Sequence, residues 1–505
     1  MISQLQTLDV ALLLFGLFLL KRIIKTKRPG PFPPGPKGLP LIGNILDMPR
    51  SYEWLTFSKW ANRWGNIVYL RTLGQSIVVL NSYDDAVDML EKRSSIYSDR
   101  PALVTARNIS FGRTAALVHY GDTVREYRRL MGKMIGTKQA VQRFHGLIEG
   151  ETQKFIRGLL DEPNRLHDLL RRTSGAIILM MTYGYSVEGD NDYFVNVVDK
   201  AIANFSLATS PGTFMMDIIP SLRFLPKWFP GMKRYWDTVA TWNRETLRMI
   251  DEPYDFVKQQ MQEGVAGPSY VSKLLESENV NEKDEESIKC TAASLYAGGG
   301  DTTVSANYSF FLAMTLHPSI QVKAQQEIDR VIGTDRLPTL ADRQDLSYIE
   351  AIVKEVFRWN PVLPIGFPHS VTQDDIYKDY FIPKGSMVLV NAWYLLHDPN
   401  VYSDPLDFNP DRFLGDTPER DPRSIAFGFG RRICPGLNMA DTAVFIACAQ
   451  SLAVFNISKV VRDGIVVEPD CEYEAGTVSH PKKFECRIEP RSAKARKLIL
   501  LEAEK

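Results

Sequence analysis

The segment from Asp284 to Leu316 restricts the fold more than any other part of the sequence, because it reads as one long helix that is apolar on more than one face. A helix with apolar residues on several faces is buried on all of them. At the rise of an α-helix it would run about 50 Å, which is long enough to cross a large domain. The chain around it is therefore expected to be mainly helical.

Three consecutive glycines, Gly298, Gly299 and Gly300, lie in the middle of this segment. Each glycine inside a helix costs up to about 1 kcal/mol relative to alanine, so three in a row need a compensating role. Two interpretations remain open. Either two helices meet at a glycine linker, or the helix opens locally where a flat ligand approaches the backbone too closely for any Cβ atom.

The remaining sequence predicts one continuous body, from residue 41 to 490, around this helix. Of the 505 residues, 44% are apolar and 24% are charged, as in ordinary globular proteins. Strand-like runs near residues 66–82 and 375–398 flank a mostly helical middle. We therefore expect a mainly α fold with a minor β region, followed by a charged C-terminal tail at residues 491–505.

Charge and cysteine content exclude several classes of protein. Sixty basic and 60 acidic residues give no net charge, so nothing indicates a nucleic-acid partner. The 5 cysteines are few and odd in number, and no two are spaced as C-x-x-C, which argues against a zinc site or an iron–sulfur cluster. Since a disulfide framework is not expected either, the body is predicted to face the cytosol.

The N-terminus predicts a membrane anchor at residues 1–28. An apolar run, Val10–Leu20, is followed by a basic cluster that holds the C-terminal side in the cytosol. A span from Leu5 to Ile24 has the necessary length if Lys21 and Arg22 extend to the interface. The alternative is a cleaved signal peptide. The absence of a basic residue before the apolar run argues against this alternative. A stiff proline-rich linker at residues 29–40 then leads into the body.

A lone cysteine, Cys434, lies in the loop "FGFGRRICPG" directly before a helical pattern. Gly430 and Gly436 permit a tight loop whose amides turn toward the sulfur. The helix N-terminus and the nearby Arg432 both favour thiolate over thiol. A loop with one buried thiolate and no second cysteine is suited to hold one metal ion from one side, whereas a cysteine considered alone is more often a small buried apolar residue.

The loop resembles the haem-binding pattern F-x-x-G-x-R-x-C-x-G of the cytochrome P-450 monooxygenases, which Phe427, Gly430, Arg432, Cys434 and Gly436 match without a gap. The resemblance covers roughly residues 30 to 490. It implies the P-450 fold, with the long central helix crossing over the haem. It also implies haem b as the cofactor, with the Cys434 thiolate as the axial iron ligand and with Phe427 and Gly436 in the cofactor-binding loop.

Three further segments match motifs of the same family in the same order. "GGGDTT" (Gly298–Thr303) resembles its oxygen-activating helix motif, "EVFR" (Glu355–Arg358) its E-x-x-R, and "FNPDRF" (Phe408–Phe413) the segment that completes an E-R-R triad, here with Arg412. An E-x-x-R alone is usually a surface pair. Its position before Cys434, with Arg412 in between, instead predicts a buried triad that holds the fold.

The resemblance assigns the catalytic roles to Asp301 and Thr302. Thr302 orders a water beside the dioxygen, and Asp301 gates proton delivery. Polar groups without partners in an apolar helix would be costly, which also places these two side chains at a wet pocket.

The propionates of the haem need cations, and the resemblance implies three residues that contact them: Arg432, His369 and Arg128. The family commonly has tryptophan four residues before this last arginine, whereas the present chain has Val124. This departure puts one propionate contact in doubt.

The resemblance further implies two electrons per turnover from an NADPH–cytochrome P-450 reductase and a location in the endoplasmic reticulum membrane, with one N-terminal anchor and a cytosolic catalytic domain. The segments expected to line the pocket are mainly apolar, which predicts a lipophilic small-molecule substrate. The sequence is similar to fungal secondary-metabolism members, whose substrates are terpenoid, aromatic or polyketide scaffolds. The alternatives are a haem-thiolate isomerase or dehydratase, and a non-catalytic haem ligand sensor.

Overall fold

The computed structural model describes residues 29–189, 191–210, 213–276 and 280–502. Helices form most of it, as predicted. Those of the N-terminal half are α1 (Glu53–Trp64), α2 (Tyr83–Val87), α3 (Ser94–Tyr97), α4 (Val104–Asn108), α5 (Asp122–Ile135), α6 (Lys138–Gln142), α7 (His145–Asp161), α8 (Leu166–Tyr183), α9 (Tyr193–Thr209), α10 (Met215–Ile218) and α11 (Met232–Gln262). Those of the C-terminal half are α12 (Tyr270–Leu275), α13 (Glu282–Gly299), α14 (Thr302–Leu316), α15 (Pro318–Val331), α16 (Ser347–Trp359), α17 (Ala392–Leu396), α18 (Arg423–Ala426), α19 (Leu437–Val454) and α20 (Ala493–Glu502).

The β region is minor, which confirms the predicted fold class. The strands are β1 (Ile67–Thr72), β2 (Gln75–Leu80), β3 (His369–Ser370), β4 (Asp375–Tyr377), β5 (Tyr380–Ile382), β6 (Met387–Val390), β7 (Phe455–Ser458), β8 (Val461–Arg462), β9 (Ile465–Val466) and β10 (Arg487–Pro490). The main sheet has the order β1-β2-β6-β3, in which β6 runs parallel to β2 and the other pairs are antiparallel. Since β2 and β6 are far apart in sequence, this sheet joins the two ends of the body.

The predicted central helix is interrupted between α13 and α14. The amide of Gly300 still donates to the Tyr296 carbonyl at 3.1 Å, and regular bonding resumes where Ser305 donates to Asp301 at 3.2 Å. Asp301 has φ −122° and ψ −44°, outside the helical region. Because only two residues lie between the helices, the chain opens locally and does not form a linker loop.

The glycines at this break have different roles. A Cβ atom on Gly299 would lie 2.9 Å from Cδ1 of Ile178, so this glycine allows α13 to pack closely on α8. A Cβ atom on Gly298 would meet no protein atom within 4 Å. The expectation that the glycines make room for a ligand is therefore wrong for Gly299, because this glycine makes room for Ile178. It fits only Gly298, on the open side of the helix.

The segments at the two ends of the body lie against it. The proline-rich segment is extended, and the Tyr69 amide donates to the Pro34 carbonyl at 2.9 Å while Phe32 stacks on Tyr69 at 4.4 Å. At the other end, the sequence separated a charged tail from the body, but most of that tail is helix α20, whose Ile499 is only 2% exposed. The predicted anchor, residues 1–28, lies outside the described residues.

One described helix, α19, is long and apolar enough to cross a membrane by length and composition. Of its span Leu437–Val454, 78% is buried inside the protein. It is therefore a core helix, and its N-terminus places the Cys434 loop at the centre of the body.

Candidate active site

The Cys434 loop has the geometry that its sequence predicts. The Cys434 amide donates to the Phe427 carbonyl at 2.8 Å, and α19 begins three residues later at Leu437. Gly430 has φ +57°, and a Cβ atom there would lie 2.1 Å from the Leu90 carbonyl oxygen. Only glycine is compatible with both the left-handed conformation and this contact. The loop is thus held against the segment after α2.

The environment of the Cys434 sulfur differs in part from the prediction. The side chain has free surface, yet burial is the largest influence on its pKa and raises it. The amides of Gly436 and Leu437 and the guanidinium of Arg128 act in the opposite direction. The sequence named Arg432 as the cation that favours thiolate, but the guanidinium facing the sulfur is that of Arg128. Because burial prevails, a metal cation is needed to hold the sulfur as thiolate.

Arg432 points away from the sulfur, toward the chain before α5. Its guanidinium donates to the carbonyl oxygens of Ser98 at 2.8 Å and Val118 at 2.8 Å. Burial lowers its pKa to about 10. The side chain direction is therefore set by the carbonyl oxygens of the segment after α3, which the local sequence does not reveal.

Arg100 is a buried cation beside Arg432 that the sequence analysis missed. It is 5% exposed and donates to the carbonyls of Ala116, Phe367 and Pro368. Burial, and next the charge of Arg432, lower its pKa to about 9. Among the described residues, no carboxylate forms an ion pair with this guanidinium. No sequence pattern distinguishes Arg100, because its neighbours come from distant segments.

Arg128 and His369 both lie at this site, but they differ in charge. Arg128 of α5 donates to the Ile433 carbonyl at 2.7 Å, directly before Cys434. His369 of β3 donates from Nδ1 to the Tyr97 carbonyl at 2.8 Å, and burial and then Arg100 hold its pKa well below the usual range. His369 is therefore neutral and supplies no positive charge. Val124 is 3% exposed in the core and offers no side-chain donor.

Asp301 and Thr302 stand at the break in the central helix. The Thr302 hydroxyl donates to the Gly298 carbonyl at 2.7 Å and so satisfies one acceptor that the break leaves free. The Asp301 carboxylate lies 3.1 Å from Nε2 of His480. Burial raises the pKa of Asp301, but His480, Arg171 and His167 together lower it below its usual value. The structure thus places an ionised carboxylate and a hydroxyl next to each other in sequence, and it adds His480, which the sequence analysis missed.

The E-R-R triad is buried, as predicted. Glu355 and Arg358 are both 0% exposed and form two hydrogen bonds at 2.7 and 2.8 Å. Arg412 donates from Nε to Glu355 at 3.2 Å. The same turn of α16 carries Phe357, whose ring lies 5.1 Å from that of Phe427. The triad therefore fixes α16, and α16 supports the Cys434 loop.

Comparison with known proteins decides the family. The profile of the cytochrome P450 family matches residues 33–487. The chain belongs to the cytochrome P450 family. This match covers the Cys434 loop, the helix break and the triad, so the P450 resemblance and the predicted fold are confirmed.

Fungal relatives of this P450 match almost its whole length. A protein named cytochrome P450 monooxygenase 208, from Postia placenta, is 51% identical over 500 residues, or 98% of this chain and 97% of that protein. Cytochrome P450 monooxygenase claR of Ampulloclitocybe clavipes is 46% identical over 499 residues, 98% and 92% of the two chains. Cytochrome P450 monooxygenase ppsD of Aspergillus oryzae is 39% identical over 503 residues, 97% and 95%. The protein is a cytochrome P450 monooxygenase.

The residues of this P450 fit the haem-thiolate group of the family. The Cys434 thiol has free surface and a raised pKa, so a metal ion would be needed to hold it as a thiolate. Among the described residues, Arg100, Arg128 and Arg432 form no ion pair with a carboxylate, so their charge is available for an anionic ligand. Uncompensated buried cations are costly unless an anion joins them. This donor set matches an iron-bearing group with carboxylate substituents.

Proposed function

We propose that this P450 oxidises a lipophilic small molecule in fungal secondary metabolism, with dioxygen and two electrons from an NADPH–cytochrome P450 reductase. The observation that carries the proposal is the exposed Cys434 sulfur, which lies near buried arginines that form no ion pair with a carboxylate among the described residues. In this assignment Cys434 would hold the iron of haem b, and Phe427 and Gly436 shape its loop. Arg100, Arg128 and Arg432 would hold the propionates.

The chain's own residues hold the group and deliver protons to it. The amides of Gly436 and Leu437 stabilise negative charge on the Cys434 sulfur. When bound, the haem supplies the activation of dioxygen, which an electron-rich thiolate ligand favours. Thr302 holds a proton donor in place at the helix break, and Asp301 transfers protons across the break from the solvent side.

Replacing Thr302 with alanine should uncouple NADPH consumption from product formation. The variant loses the hydroxyl at the break, and we expect the product formed per NADPH to fall by about 10-fold or more, with peroxide released instead. Thr315→Ala is the matched control, because Thr315 on α14 makes the same kind of bond, to the Phe311 carbonyl at 2.7 Å, away from the break. Unchanged coupling in Thr302→Ala would remove Thr302 from the mechanism.

The apolar character of the predicted substrate pocket supports a lipophilic substrate. Phe111, Phe205 and Phe367, from three segments that are far apart in the chain, form an aromatic cluster. The ring of Phe205 lies 4.4 Å from Phe111 and 6.1 Å from Phe367. Because aromatic walls favour apolar ligands with few charges, we propose a terpenoid, aromatic or polyketide scaffold as the substrate class.

The reductase is proposed to dock beside the Cys434 loop. Arg128 contacts Ile433, so α5 lies next to this loop. The same helix exposes Arg125, Arg129 and Lys133. Basic side chains on one exposed helix face favour an acidic partner surface. The family membership of the chain supports a reductase as that partner.

An exposed apolar surface supports membrane attachment. Phe224 is 76% exposed and Trp228 is 82% exposed, both between α10 and α11, and Leu46 near the proline-rich segment is 77% exposed. Large exposed apolar side chains of this kind indicate contact with a membrane or a partner. We propose the endoplasmic reticulum membrane as the location, with residues 1–28 as a single anchor and the catalytic body in the cytosol.

Glycosylation tests this orientation. Asn456 is an exposed residue in the sequon Asn456-Ile457-Ser458, which would accept a glycan in the lumen. We expect no glycan on it, so treatment with an endoglycosidase will leave the electrophoretic mobility unchanged. A sequon added before residue 1 is the control and should be glycosylated. A glycan at Asn456 would contradict the cytosolic orientation.

A further inference from the structure

A cavity of about 880 Å³ lies behind the break in the central helix. Its walls are formed by the start of α8 with the turn before it, by the middle of α9 and by the segment before β10. Charged and titratable side chains on its walls include those of His167, Arg171, Asp199, Asp301 and His480. Because both acidic and basic side chains line the cavity, it is suited to hold water.

His480 lies between the cavity and Asp301. Its Nε2 is 3.1 Å from Oδ1 of Asp301, and the two side chains are 14% and 12% exposed. Its Nδ1 is buried and has no hydrogen-bond partner among the described residues. The ring of His167 lies 6.4 Å away across the same wall. A buried ring nitrogen without a protein partner is a position at which a bound water is expected, and the polar cavity lies beside this residue.

The groups around Asp301 favour the ionised form of its carboxyl group. Burial raises the pKa of Asp301, but His480, Arg171 and His167 outweigh it. Burial lowers the pKa of His167 to about 4, so this histidine is neutral near pH 7. Burial raises the pKa of Asp199 to about 6, although Arg171 lies only 3.3 Å away. Asp301 is therefore ionised, and His480 is the titratable group in contact with it.

We propose that His480 carries protons from water in this cavity to Asp301, an inference that rests on the proposed role of Asp301 and Thr302. The Nε2–H bond of His480 breaks and an O–H bond forms at Oδ1 of Asp301. Nδ1 accepts a proton from a hydronium ion in the cavity, which is left as water. Water then takes the Nδ1 proton and returns one to Nε2, which restores the starting tautomer. Each cycle moves one proton inward, and no electron moves. Because Nδ1 has no partner among the described residues, no protein hydrogen bond has to break for it to accept a proton.

His480→Gln separates proton transfer from mere positioning. The glutamine amide can still donate to Asp301, but it cannot carry a proton. We expect the product formed per NADPH to fall by about 10-fold and the solvent deuterium isotope effect on product formation to increase. The reduced carbon monoxide spectrum should stay unchanged. His145→Gln on α7 is the control, because this histidine lies outside the site, and it should retain the coupling and isotope effect of the parent enzyme.

A second measurement needs no turnover. The Tm of the full chain is compared for His480→Gln, Asp301→Asn and the double variant. Losses in Tm that do not add would support direct contact between the two side chains, and additive losses would overturn it. If the losses do not add but His480→Gln keeps the coupling and isotope effect of the parent enzyme, the pair is structural and the relay is overturned.

The relay and the proposed function fail in different ways. Full coupling in both Asp301→Asn and Thr302→Ala would overturn the roles of those two residues and the relay with them. Loss of coupling in Asp301→Asn, with full coupling in His480→Gln, would overturn the relay alone. Loss of coupling in both Asp301→Asn and His480→Gln, with an increased isotope effect in His480→Gln, would support the relay.

Discussion

Replacing Cys434 with serine will abolish product formation and the red-shifted Soret band of the reduced, carbon monoxide-bound protein. The amides of Gly436 and Leu437 and the Arg128 guanidinium face the position of the sulfur. They stabilise charge on a thiol that a metal ion can deprotonate, whereas a serine hydroxyl stays protonated. The absorption spectrum of the dithionite-reduced, carbon monoxide-treated protein measures the result directly.

Cys471→Ser is the control for this experiment. Cys471 is an exposed cysteine whose sulfur donates to the Pro469 carbonyl at 3.5 Å, outside the Cys434 loop. Its replacement should leave both the spectrum and the product yield unchanged. A retained thiolate spectrum in Cys434→Ser would mean that another residue ligates the iron, and the assignment of the loop would be wrong.

Replacing Glu355 with glutamine will destabilise the protein by about 3–5 kcal/mol, because it leaves a buried cation without its partner. Arg358 is 0% exposed, and its other donors go to the carbonyls of Leu396, Pro405 and Asp407. None of these acceptors carries a full negative charge. Thermal unfolding of the full-length protein, followed by circular dichroism, measures the loss.

Glu126→Gln provides a control with the same sequence spacing. Glu126 pairs with Arg129 on α5 at the same i,i+3 separation, but the two side chains are 34% and 54% exposed. An exposed pair of this kind contributes less than about 1 kcal/mol. Equal losses in the two variants would show that burial does not set the value of the Glu355–Arg358 pair.

These two pairs show why the motifs needed their positions in the chain to be interpreted. Glu126–Arg129 and Glu355–Arg358 have the same spacing on a helix, and spacing alone predicts a weak surface pair for both. The presence of Arg412 before Cys434 predicted the buried triad, and the structure confirms it. The prediction rested on the family motif, because an E-x-x-R pattern alone does not indicate whether its two side chains are buried.

The central helix was predictable in its extent but not in its detail. The apolar pattern predicted a buried segment that ends at Leu316, as α14 does. The three glycines left two interpretations open. The packing of Ile178 against Gly299 could not be foreseen, because it depends on how α8 approaches α13.

By itself, the sequence determined the fold class, the P450 family and the Cys434 loop. These features depend on local patterns: glycines that allow a left-handed turn, a helix that begins after a lone cysteine, and motifs in a fixed order. Only the tertiary structure decided that Arg128 and not Arg432 faces the sulfur, that Arg100 joins the cations, and that His480 meets Asp301. Each of these contacts joins segments that are far apart in the chain, and packing of the whole body sets the direction in which each side chain points.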